Sequence, residues 1–187
     1  MLYFPEHGLA RKGTGVNSKG WAIVVGAMAT MAPQWALAAE DMPTCTAPGP
    51  LPAQWSAWAH PVPRDASAGL PAAPLAIGEA VAANLLHTPA VTYPLRPEKP
   101  GGSVSYGGLL QVVVTTPGTY RVALGSPAWI DLVTGGGAAI ASTAHGHGPA
   151  CTGIRKIVDF VLDPGTYVLQ ISANGSAQSE VMVIRQP

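Results

Sequence analysis

Thr116-Pro117-Gly118-Thr119-Tyr120 and Asp163-Pro164-Gly165-Thr166-Tyr167 are two copies of one pattern, a Pro-Gly turn centre followed at once by Thr-Tyr. Proline presets the first turn position, and glycine is free to take a positive φ at the next. After each turn apolar residues alternate: Tyr120, Val122 and Leu124 around Arg121 and Ala123, then Tyr167, Leu169 and Ile171 around Val168 and Gln170. A period of two puts each set on one face of a strand. Each turn is therefore expected to launch a strand whose tyrosine faces the core.

Working outward, the same period predicts strands over 80–86, 105–115, 118–124, 129–133, 138–143, 154–162, 166–173 and 180–185, each bounded by Gly, Pro, Asn or Ser. About eight short strands with no helical period between them imply an all-β fold, a jelly-roll-like antiparallel β-sandwich over residues 75–187. A closed barrel is the alternative. Sparse charge and abundant Gly, Pro, Ala, Val and Thr agree with strands joined by tight turns.

Upstream, residues 40–74 carry Pro43, Pro48, Pro50, Pro52, Pro61, Pro63, Pro71 and Pro74, and read as an extended proline-rich arm. Pro52 to Trp58 is long enough for one helical turn, with Trp55 and Trp58 three residues apart on one side. The two indoles would clip the arm onto the domain or form a stacking platform for a ligand.

Residues 1–39 read as a signal peptide. Arg11, Lys12 and Lys19 form a basic region, 21–37 is apolar, and Ala36-Leu37-Ala38 is a small-x-small cleavage site. Pro33 and Gln34 interrupt the apolar run, which argues against a retained membrane span. Cleavage would leave about 149 residues, enough for one domain, in the periplasm or outside the cell. From Ala39 onward seven basic residues face nine acidic ones, a balance of −2 that carries no footprint for nucleic acid. Cys45 and Cys151 are the two cysteines, and in an oxidising compartment they are expected to pair.

Two stretches stand out as chemistry. In Ala144-His145-Gly146-His147-Gly148-Pro149-Ala150-Cys151, imidazoles at i and i+2 of an extended chain share a side, so His145 and His147 could bind a divalent metal such as Fe, Cu or Zn. A third ligand would have to be His60, His87, Asp159 or Cys151, and a disulfide would remove the last. The alternative is a tight exposed loop with solvated histidines and no cofactor. In the second stretch, 93–103, Arg96 and Lys99 with the Gly101 and Gly102 amides could receive a small anionic ligand, joined by Arg155 and Lys156 if the loops share one end of the sandwich. No catalytic residue is assigned: the chain lacks a Gly-x-Ser-x-Gly elbow, a phosphate-binding glycine loop, HExxH and CxxC.

The runs 118–122, 129–133 and 162–169 resemble the pre-peptidase C-terminal type of β-sandwich found in exported bacterial proteins, over about residues 75–185. That resemblance implies a binding or accessory module rather than an enzyme; an exposed sheet edge or the Trp55 and Trp58 arm could instead engage an envelope protein. The run from His145 to Lys156 is also similar to short exported bacterial proteins that carry the name homogentisate 1,2-dioxygenase, which implies a metal-dependent dioxygenase. The iron-binding pattern of such enzymes places Glu six positions after a histidine. Here Ala66, Tyr93, Cys151 and Gly153 stand at that spacing after His60, His87, His145 and His147.

Overall fold

The computed structural model describes residues 44–187, so the proposed signal peptide lies outside the described residues. Twelve strands follow in order: β1 (Val62–Asp65), β2 (Ala73–Leu75), β3 (Ala80–Asn84), β4 (Leu86–His87), β5 (Tyr106–Val114) and β6 (Gly118–Leu124), then β7 (Trp129–Thr134), β8 (Ala139–Ile140), β9 (Ala144–Gly146), β10 (Lys156–Leu162), β11 (Gly165–Asn174) and β12 (Gln178–Arg185). They form two sheets, β1-β3-β12-β6-β10-β9 and β2-β5-β11-β7-β8, with β4 paired to β5. Within them the orders β3-β12-β6-β10 and β5-β11-β7-β8 are the two four-stranded layers of a jelly roll. The sheets face each other as a sandwich and neither closes into a barrel.

The alternation read from the sequence holds. Tyr120, Val122 and Leu124 meet Tyr167, Leu169 and Ile171 in the core between the sheets, with Phe160, Leu132 and Leu110. The tyrosines also close their own turns: the Tyr120 hydroxyl donates to the Thr116 carbonyl at 2.7 Å and that of Tyr167 to the Asp163 carbonyl at 2.9 Å. Each ring is thus buried while its polar tip ties the strand back to the residue four positions before it. Gly118 takes φ +154°, whereas Gly165 is not among the residues of positive φ.

The proline-rich arm is more regular than its composition suggests. It contributes a 3₁₀ helix, Ala53–Ala59, and strands β1 and β2. Both strands pair in parallel, β1 with β3 and β2 with β5, so the sheets are mixed where an antiparallel sandwich was expected. Pro63 and Pro74 are accommodated because both strands lie at sheet edges, where a missing N–H breaks no central ladder.

The 3₁₀ helix lays Trp55 and Trp58 on the outer face of the first sheet, against Ala80, Ala123, Met182, Ile184, Ile154 and Ile157. This burial, 2% and 6% exposed, makes them the clip and removes the stacking platform. The expected disulfide joins Cys45 to Cys151 with a Cα–Cα distance of 5.4 Å. It spans 106 residues, a closure whose loss of unfolded-state entropy is worth about 4 to 5 kcal/mol. Clip, bridge and the edge pairings of β1 and β2 together hold the arm. On the opposite face of the sandwich, the 91–99 segment covers the second sheet through Val91 and Tyr93, which pack with Leu109 and Val168. The Tyr93 hydroxyl donates to the Ile171 carbonyl at 3.0 Å, and burial pushes its pKa up to about 12.

Candidate functional site

The stretch 138–143, expected to be one strand, is instead where the chain leaves one sheet for the other. β8 pairs with Leu132 and Val133 of β7 in the second sheet, and β9 pairs with β10 in the first. Because β8 is only two residues long, Trp129, Ile130 and Asp131 have no partner on that side among the named strands. The sandwich interior opens there.

The opening is a cleft of about 350 Å³. Its apolar wall is Ile130 and Ile140 from one sheet with Val158 and Phe160 from the other, and its polar rim is Trp129, Asp131, Ser142, His145 and Lys156. An apolar cavity of this size with a few convergent polar groups is the usual form of a small-ligand site. A smaller cleft of about 170 Å³, lined by Arg121, His145, His147 and Asp159, adjoins it through His145.

Trp129 organises the rim. Its Nε1 donates to Asp131 Oδ1 at 3.1 Å, and the ammonium groups of Lys99 and Lys156 lie 5.0 and 5.4 Å from its ring centroid. Lys156 Nζ donates to the Ala128 carbonyl at 2.8 Å. An ammonium has three donors, so two remain beyond that bond. Burial pushes the Lys156 pKa down, and the Lys99 charge adds to this against the opposing pull of Asp131. Asp131 is raised, first by burial and then by Glu98, while the Trp129 hydrogen bond works the other way. Its Oδ2 is buried without a hydrogen-bond partner among the described residues; Gln170, opposite on β11, is engaged with the backbone of Leu95 at 3.0 Å in both directions.

Of the residues singled out in the sequence, Lys99 and Lys156 are thus brought to one indole. Arg96 is exposed, and Arg155 is exposed with its carbonyl 2.8 Å from His147 Nδ1. Gly101 takes φ +81° in a turn where the Gly102 carbonyl accepts from the Ser105 amide and hydroxyl at 3.0 and 2.7 Å. Neither glycine lines the cleft. His145 sits on β9 opposite Val158, which belongs to the core face, and so lines the cleft; His147 lies just beyond the strand. Cys151 is held in the disulfide and is no thiolate ligand. Among the described residues, no three His, Cys, Asp or Glu side chains gather as a metal site would require.

Arg121 and Asp159 face each other across β6 and β10 as a two-pronged ion pair, both bonds 2.8 Å. Hydrogen bonds from Arg121 hold the Asp159 carboxyl below its ordinary range, with Gln186 assisting at 3.1 Å. Trp129, Asp131, Ile140 and Phe160 were legible only as strand residues. The one signal was Trp-x-Asp, which puts an indole and a carboxylate on the same face of a strand.

No family model and no curated protein matches this chain.

Proposed function

We propose that this chain is an exported, periplasmic or secreted binding module, without catalysis of its own, that holds a small anionic ligand in the cleft between β7 and β10. The observation that carries this reading is the cleft itself: an apolar wall continuous with the core, rimmed by Trp129, Lys156 and His145. A disulfide over 106 residues supports an oxidising compartment. Among the described residues no helix is long and apolar enough to cross a membrane. The resemblance to the pre-peptidase C-terminal sandwich points the same way. The dioxygenase reading would rest on His145 and His147 with Asp159, which lines the same smaller cleft but has both carboxylate oxygens bonded to Arg121, and these three are not gathered as a metal site would require.

Titration with a neutral probe, benzyl alcohol, tests the cleft. We expect amide shifts concentrated at Ile130, Ile140, Val158 and Phe160, and their loss in Ile140→Trp, which fills the space. Shifts scattered over the surface, or unchanged in that variant, would sink the reading.

A further inference from the structure

We propose that the cleft is selective for a small monocarboxylate with an apolar body, its carboxylate against Lys156 and its body on the Ile130, Ile140, Val158 and Phe160 wall. The inference deepens the reading above and rests on it. The cleft has a charged end and an apolar end, and only one end can satisfy a polar head. At the charged end Lys156 lines the cleft and spends one of three donors on the Ala128 carbonyl. Lys99 reaches the same indole from outside the cleft lining, so a second positive charge stands near that end. A carboxylate there accepts the free donors of Lys156 and offsets the positive charge of both lysines. Such charge-assisted bonds are the strong class of hydrogen bond.

A cationic head is disfavoured at that end for the same reason. The neighbouring acid also limits the ligand's charge. Asp131 lines the cleft with Oδ1 taken by the Trp129 indole and Oδ2 buried without a hydrogen-bond partner among the described residues, so it repels further negative charge. Among the cleft-lining residues Lys156 is the ammonium, and its free donors serve one carboxylate. A second would meet either a carboxylate or the apolar wall, which offers it no donor.

Four six-carbon probes distinguish the classes: hexanoate, 1-hexanol, hexylammonium and adipate, each titrated by amide shifts into protein recovered from expression of the full chain. Hexanoate should bind at least tenfold more tightly than the other three, and added NaCl should weaken hexanoate while leaving 1-hexanol unchanged. Lys156→Met should lower hexanoate affinity about tenfold and spare 1-hexanol, and Lys99→Ala should give a smaller loss. Equal binding of hexanoate and 1-hexanol, preference for hexylammonium or adipate, or indifference to both salt and Lys156→Met would overturn the selectivity while leaving the cleft as a site. Failure of all four probes, together with benzyl alcohol, would overturn the cleft reading as well. Should Lys156→Met not fold, the salt dependence and head-group order of the wild type decide the matter alone.

Discussion

At the scale of single residues, the two tyrosines join local and global order. Each closes a Pro-Gly turn through its hydroxyl and fills the space between the sheets with its ring. Tyr120→Phe and Tyr167→Phe keep the ring and remove the bond, so each should cost about 1 kcal/mol in urea unfolding. The sites lie on different turns, and their effects should add. The Arg121–Asp159 pair makes a pH-dependent contribution. Because the folded carboxyl titrates below its ordinary value, the unfolded chain binds more protons between the two pKa values, and stability rises with pH there. The contribution is complete above the unfolded value near 4 and is lost as pH falls through the folded one. Asp159→Asn should therefore be less stable than wild type by about 1 to 2 kcal/mol at pH 7, and the gap should shrink toward pH 2. A gap independent of pH would assign the loss to packing.

At the scale of elements, the arm shows how proline content misleads. Prolines exclude interior strands and long helices, yet a 3₁₀ turn and two edge strands need none of the hydrogen bonds that proline lacks. The arm covers the outer face of the first sheet, which explains why β12 is buried on both faces over Val181 to Ile184. Trp58→Ala should cost about 3 kcal/mol, as expected for a buried aromatic removed from a packed cluster. A cost below about 1 kcal/mol would mean that the disulfide and the pairings of β1 and β2 hold the arm without the clip. The bulge in β11 between Ile171 and Asn174 places Ala173 at φ +54°, a conformation no local residue preference announces.

At the scale of the whole molecule, export is the claim most easily checked. Expressed with its own leader, the protein should be recovered from the periplasm or medium with a first residue near Ala39, read by intact mass. Retention of full-length chain in the cytoplasm would remove the basis of the localisation and of the oxidised cysteine pair. Strand positions outside the arm and 138–143, the core tyrosines and the cysteine partners were legible because each follows from a short-range rule: period two, turn chemistry, or the pairing of two thiols in an oxidising compartment. The sheet order, the parallel edges and the cleft were not. They depend on which distant segments meet, and on β8 stopping after two residues so that the interior opens beside Trp129. The sequence by itself determined an all-β chain whose Pro-Gly turns launch strands with core-facing tyrosines, since alternation and turn chemistry act within a few residues. Only the tertiary structure decided that Lys99 and Lys156, far apart in the chain, share one indole at the mouth of an apolar cleft, because that meeting is set by packing between layers.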